Sequence, residues 1–316
     1  MVRYLAERML TMLCVLVGIT ILSFALIYMV PGNAVDVLLA GQTQVSPERR
    51  AEIEHLLGLD RPPHVQYLRW VTGLVRGDLG TSIRTGLTVR RELALRLPVT
   101  FELATLATLL AVLIAIPFGV LSAIRRNTWA DSVLKVTGLV GLSIPQFGLA
   151  MVLLLLTSKY LPFLTPGAYQ PWMAGVAEHL RSMGLPALSA GAGVAAVIMR
   201  MTRSSMLDVT GEQYVSTARA KGLAEWVVIL KHALRNALVP VVTITGIQFG
   251  LLLSGVVIIE YIFTLPGMGT LMLNAIYQRD YPVVQSCVLV VAVVFVLVNL
   301  GVDIAYGWLD PRIRHT

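Results

Sequence analysis

GEQYVSTARAKGLAEWVVILKHALRNALVP, residues 211–240, decides how this chain is read. The stretch carries Glu212, Arg219, Lys221, Glu225, Lys231, His232 and Arg235, and it lies between two long apolar runs. Ionisable groups are costly in the hydrocarbon of a bilayer, so a charged, helix-forming segment of about thirty residues belongs at a membrane face. There another protein can grip it. Glu212 to Lys221 reads as one short helix. Gly222 supplies the turn, because glycine accepts positive φ without steric cost. Leu223 to Leu238 reads as a second helix with Val227, Leu230, Leu234 and Leu238 along one face. Pro240 leads that helix into the next apolar span. Ala218 and Ala220 are small, which lets a partner surface approach closely. The plainer alternative is a helix lying on anionic lipid headgroups. That reading calls for bulky aromatics and many lysines, and the stretch has one Trp, Trp226, and two Lys.

The rest of the chain agrees with a membrane setting. Its 316 residues are 56% hydrophobic and only 14% charged. Soluble domains carry roughly 25% charged residues, so lipid is the main solvent here. A net charge of +7 can point to nucleic acid, but the apolar runs argue against that partner and topology explains the basic excess better. The run after MVRYLAERML is too long for a signal-peptide core and lacks a small-x-small cleavage site, so the first span is expected to stay as an anchor. Cys14 and Cys287 each fall in an apolar span and read as small packing residues, placed near opposite faces where a disulfide is implausible.

A span needs about 20 apolar residues. Six segments qualify: Met9 to Val30, Thr100 to Ile124, Val136 to Thr157, Ala187 to Met199, Val241 to Ile262 and Ser286 to Ala305. The fourth is short unless it extends at either end. Lys and Arg in short loops set the orientation. With the N-terminus inside, the inner segments hold Arg125, Arg126, Lys135, Arg200, Arg203, Arg219, Lys221, Lys231 and Arg235, besides the cations of both termini. The short outer loops hold only Lys159, Arg181 and Arg279. Residues 31–97 carry nine arginines, but loops of that length cross largely regardless of charge.

That outer segment reads as a small helical cap. Ser46-Pro47-Glu48 is a helix start and Gly58 a stop. Tyr67, Leu68, Val71, Leu74 and Val75 follow at helical spacing, until Gly77-Asp78-Leu79-Gly80 breaks the pattern. A third short helix is expected from Thr88 to Leu97. Within the spans, Gly246 and Gly250 form a small-xxx-small pair for close helix approach. Pro117, Pro145 and Pro240 can kink or start helices.

The charged loop also carries a resemblance. TARAKG at Thr217–Gly222 with HALRNALVP ending at Pro240 resembles the cytoplasmic loop of binding-protein-dependent ABC importer permeases, in the dipeptide, oligopeptide and nickel branch. GDLGTS at 77–82, LPVT at 97–100, EYIFTLPGMG at 260–269, RDYP at 279–282 and LDPRIR at 309–314 resemble that branch in the same order along the chain. Where the wider superfamily begins this loop with Glu-Ala-Ala, this chain has Ser216-Thr217-Ala218.

The resemblance implies an all-α, six-span, type I importer permease bundle with a small helical extracytoplasmic segment. Its divisions would be 1–97, the anchor span and outer segment, and 98–316, the permease core with its docking loop at about 206–238. The long outer segment favours the first permease of the pair. The implied location is a bacterial inner membrane, with both termini cytoplasmic. The implied partners are a second homologous permease, one or two P-loop ATPases, an extracytoplasmic solute-binding protein and membrane lipid. Thr217, Ala218, Arg219, Ala220, Lys221, Gly222 and Leu223 would dock on the ATPase. ATP and Mg would sit on that partner, since the chain has no G-x-x-x-x-G-K-[ST] and binds no cofactor of its own. The solute would be a di- or oligopeptide, although nickel and glutathione systems share the pattern.

Chemistry within the chain is sparse. No H-E-x-x-H occurs, and the five histidines are scattered, reading as surface residues with no metal ligand among them. Glu102, Arg200, Glu260 and Asp303 lie near span ends. Gln146 and Gln248 sit deeper, where each lines a polar path or bridges helices by hydrogen bonds, the bridge being favoured. Glu260, Pro266, Gly267 and Asp280 are candidates for an outer gate or cap. A secondary, ion-coupled transporter is the alternative, but it would need buried ion-handling groups and usually an inverted repeat. An intramembrane enzyme would need a nucleophile and base at membrane depth. Neither pattern is evident.

Overall fold

The computed structural model describes residues 2–29, 47–48, 51, 54–55 and 60–309. The helices are α1 (Val2–Met29), α2 (Pro63–Val75), α3 (Val89–Ile124), α4 (Trp129–Ser143), α5 (Gln146–Tyr160), α6 (Val176–Thr210), α7 (Gln213–Ala220), α8 (Glu225–Gly255), α9 (Val257–Ile262), α10 (Met268–Tyr277) and α11 (Tyr281–Leu309). Among the described residues there is no strand, only one isolated bridge between Thr81 and Thr88.

Among the described residues four helices have the length and composition to cross a membrane: α3, α6, α8 and α11 over Tyr281–Val302. A fifth span is the pair α4 and α5, bent by 102° where Ile144-Pro145 interrupts it. The break falls at Pro145, one of the prolines expected to kink or start a helix. Pro145 cannot donate within a helix and disfavours a helical residue before it, so one helix ends and another starts. The first predicted span is helical, and its described apolar part runs Met9–Ala25. The short fourth span extends at both ends, passing Pro186, to make the 35-residue α6. The separate helix expected over 88–97 does not exist. It is the first part of α3, which at 36 residues is longer than the roughly 20 a bilayer needs. Span five stops at Gly255 rather than Ile262, and the expected turn over 260–269 leads into a ten-residue helix, α10. The helix start at Ser46 and stop at Gly58 lie outside the described residues, although Pro47 and Glu48 are helical.

The chain forms two compact units, one of 1–99 with 266–296 and one of 100–265 with 297–316. In the first unit, α2 meets α1 through an aromatic group: Phe24 lies edge-on to Tyr67 at 5.4 Å and stacks with Trp70 at 6.2 Å. Tyr67 OH is 3.0 Å from Thr20 Oγ1. Leu68 and Val75, expected on the packing face of α2, are exposed. The unit's core is Val89, Leu93, Met268, Leu271, Ala275, Val283 and Cys287. Both cysteines are free, with Cys14 exposed and Cys287 buried.

In the second unit α6 is the hub, packed against α4, α5 and α8. Small residues let the backbones approach. A Cβ on Gly191 would stand 2.5 Å from the Ala107 carbonyl oxygen of α3. A Cβ on Gly246 would stand 2.2 Å from Val302 Cγ2, so half of the expected small-residue pair serves α11, while Gly250 is buried. An apolar crevice of about 450 Å³ opens beside that contact, lined by Thr108, Thr243, Thr245, Phe249 and Val298 among others.

Candidate functional site: a helix–glycine–helix loop and its anchor

The loop folds as its residue types dictate. α6 ends at Gly211, and α7 runs through Gln213–Ala220. Gly222 turns the chain at φ +76°, donating its N–H to the Arg219 carbonyl at 2.9 Å. α8 then starts at Glu225. Two contacts close the hairpin. Val215, Ala218 and Val228 form a small buried apolar group with Val209 against it. Outside, Arg219 Nη2 donates to Glu225 Oε1 at 2.8 Å and Nε to Oε2 at 3.2 Å. That hydrogen-bonded carboxylate raises the Arg219 pKa further above its ordinary value. Asn236 of α8 donates to Tyr214 OH of α7 at 2.7 Å.

Thr217, Arg219, Ala220, Lys221, Gly222 and Leu223 are all exposed, forming one continuous surface at the tip. Ala218 is not part of it. At 6% exposure its methyl points into the hairpin, so the expected outward role is corrected: it is small because Val228 needs the room.

The predicted apolar face of α8 is also corrected. Leu230, placed on that face by a 3.6-residue count, is exposed, and Val228, Ile229, Ala233 and Ala237 are the buried residues. A π turn occupies Val228–Ala233 in the same stretch. Such a turn closes i→i+5 bonds and shifts the face of the residues that follow. No periodicity count carries that signal.

Beneath the loop lies a polar knot that sequence reasoning missed. Asp131, in the first turn of α4, is fully buried. Arg203 of α6 grips it with two donors, Nε at 2.9 Å and Nη2 at 3.0 Å. Ser122 of α3 donates to it at 2.6 Å, and the Asn127 N–H at 3.0 Å. Lys135 Nζ stands 3.1 Å away, one turn on. Asn127 turns the chain at φ +62°, and Thr128 caps α4 by accepting from the Asp131 N–H. The T-x-x-D pattern at 128–131, next to Arg125-Arg126, is a helix-start signal that marks where α4 begins. It does not reveal Arg203, 72 residues away. One turn further along α6, Met206 joins Val120 and Ala123 of α3 and Ile229, Ala233 and Ala237 of α8 in a single apolar cluster.

The other predicted residues separate. Gln146 and Gln248 are half-buried. Gln146 is the first residue of α5, beside the break, and its Nε2 lies 3.7 Å from where a Gly193 Cβ would stand. Glu260 is fully buried rather than near water: Thr100 Oγ1 donates to it at 2.5 Å. Gly267 caps α10 and is buried, and Pro266 is half-buried. Asp280 is 3% exposed, accepting from Ser82 Oγ and from the N–H groups of Ile83 at 3.2 Å and Arg84 at 3.4 Å. It ties RDYP to GDLGTS within the first unit. Glu260 and Asp280 are thus both buried and hydrogen-bonded. The Asp303 side chain lies outside the described residues.

His179 is corrected as well, being fully buried. Trp172 stacks on its ring at 3.8 Å, its Nδ1 is 2.7 Å from the Gln170 carbonyl, and its Nε2 is 2.9 Å from Glu102 Oε1 without the angle of a hydrogen bond. Tyr169 OH donates to Glu102 at 3.1 Å, and burial, then the nearby carboxylate, push the phenol up to about 12. No group of three metal-ligating side chains occurs among the described residues.

The described residues thus form a bundle of membrane-length apolar helices with an exposed helix–glycine–helix loop, the build of a multi-pass membrane protein. The particular family follows from comparison. Residues 115–315 match "Binding-protein-dependent transport system inner membrane component", and residues 1–104 match that system's N-terminal membrane component. The chain belongs to this family. Its relatives include the dipeptide transport system permease protein DppB of Escherichia coli (strain K12), 41% identical over 339 residues, covering 100% of this chain and 99% of that one. DppB of Alkalihalophilus pseudofirmus is 39% identical over 340 residues, with both chains covered in full. The glutathione transport system permease protein GsiC of Salmonella typhi is 39% identical over 319 residues, again covering both in full. A chain of the inward-facing MetNI methionine ABC transporter shares the fold, with a TM-score of 0.57 at 20% identity over 69% of this chain and 96% of that one. This chain is thus a permease subunit of an ATP-driven importer, whose hydrolysis resides on other subunits, and not itself an enzyme.

Proposed function

We propose that this permease moves short peptides inward across a bacterial inner membrane by alternating access. Full-length identity of 41% to a dipeptide permease is the observation that carries the solute class. Glutathione, the solute named for another relative, is itself a short peptide, which keeps the class coherent. In this reading both termini and the 206–238 loop are cytoplasmic, as the Lys and Arg distribution favours. The exposed tip, Thr217, Arg219 to Leu223, enters a groove on a P-loop ATPase that holds ATP and Mg. Closure of two such ATPases pushes on the tip and swings the spans between inward-open and outward-open. A second homologous permease completes the pore, and an extracytoplasmic binding protein delivers solute over the cap region. Gln146, the first residue of α5 after the break, and Gln248 on α8 are half-buried amides in this reading, placed on the path where their polar groups can meet a peptide's own amides. Glu260, Pro266, Gly267 and Asp280 shape the outer region from within.

The test is a detergent pull-down of the tagged chain from native membranes with mass spectrometry, followed by uptake of labelled dialanine into proteoliposomes. Recovery of a P-loop ATPase and a second permease, with ATP-dependent uptake, is expected. Uptake by the chain without any ATPase would overturn the reading in favour of a secondary transporter.

A further inference from the structure

We propose that Asp131 is a positioning residue for coupling. It fastens α3, α4 and α6 into one body, so that a displacement of the α7 loop reaches the broken span. The inference rests on the proposed docking of that loop.

Four observations carry it. First, the carboxylate is saturated: an ionised Asp offers about four lone-pair positions, and five donors from three helices and a turn surround this one. Second, the Arg203 contact is a planar two-bond fork, which fixes rotation about α6 as well as distance. Third, the knot is placed where it matters. Arg203 lies two turns before α6 ends at Thr210 and the loop begins, with the Met206 cluster between. The other end of the linkage is α4, whose far end is the break at Ile144-Pro145 and Gln146. Fourth, an ion pair taken out of water gains little over well-packed apolar residues, because desolvation offsets the attraction. Stability alone therefore gives no reason for this choice, whereas a fixed geometry between three helices does. By contrast, Arg200, three residues earlier on α6, is exposed. Coupling between sites needs an element that both ends bias, and the α3–α4–α6 body is that element here. The decisive evidence is a ratio.

The experiment uses the whole complex in proteoliposomes: this chain, its second permease, the ATPases and the binding protein, with labelled dialanine as probe. ATP hydrolysis and uptake are measured together for wild type, Asp131→Asn and Arg203→Lys. In the variants, hydrolysis is expected to stay within about two-fold of wild type while dialanine moved per ATP falls about ten-fold in Asp131→Asn, a size typical of coupling between sites. Arg203→Lys keeps the charge but loses the fork, and is expected in between. A purely structural role would lower the amount of assembled complex and leave the ratio alone, so an unchanged ratio in Asp131→Asn overturns the proposal. Should that variant fail to reach the membrane, the ratio in Arg203→Lys decides in the same way. A wild-type complex that holds no ATPase sinks the docking reading, and this inference falls with it. If the wild type holds its ATPases but leaves dialanine outside, only the solute is wrong, and the ratio is taken with glutathione.

Discussion

Among the described residues an arginine forks onto a carboxylate in two settings. Arg219 and Glu225 pair across the loop with side chains 43% and 56% exposed. Arg203 and Asp131 pair beneath it with 22% and 0% exposed. The hydrogen-bond lengths are alike, 2.8 Å in one and 2.9 Å in the other. The consequences are not. Water screens the first pair and solvates either partner when the other is removed, so such pairs add little to stability. In the second pair the Asp131 carboxylate has traded its water for Ser122, Asn127 and Lys135, and removing it leaves the Ser122 hydroxyl and the Asn127 N–H without that acceptor. The pair at the tip stays in water, and the carboxylate beneath it is held from several sides.

Four substitutions break or sharpen that contrast. The largest effect is expected from Asp131→Ala, which strands the Ser122 hydroxyl, the Asn127 N–H and the Arg203 fork. Arg203 can still reach water, so the loss is set near the low end for a broken buried pair, about 3 kcal/mol. Thermal unfolding of the purified chain in detergent reads it, and a melting temperature equal to wild type would show that the knot is solvated after all. Next is Ala218→Leu, which forces three more carbons against Val215 and Val228. Overpacking of this kind costs roughly 1–3 kcal/mol. Here the hairpin distorts and ATPase recovery in the pull-down falls, whereas normal recovery would return Ala218 to the outer surface. Gly222→Ala is smaller. Alanine at φ +76° is strained by about 1 kcal/mol, and nothing lies within 4 Å of its new methyl. Protease cleavage of the tip in the isolated chain should quicken slightly, and unchanged cleavage would mean that the turn tolerates a side chain. Smallest is Arg219→Ala. Its melting temperature should match wild type, and a clear drop would make the exposed fork a structural element, erasing the distinction drawn above.

What the sequence determined by itself is the setting and the local pieces. Apolar runs of about 20 residues have no stable alternative to a membrane helix, so the spans were legible. So was the glycine turn, because only glycine sits easily at the φ that Gly222 adopts. The motifs named the family from their order alone. The tertiary structure decided everything that depends on partners distant along the chain. It set the π turn over Val228–Ala233 and the burial of Ile229 in place of Leu230, and it turned Ala218 inward. It placed Glu260 and His179 out of water. It brought Arg203 to Asp131, and Asp280 to a turn nearly two hundred residues earlier. Periodicity reports which face of a helix is apolar. Which polar group a buried charge will meet is set only when the helices pack, since only then does losing water force that charge to find a partner.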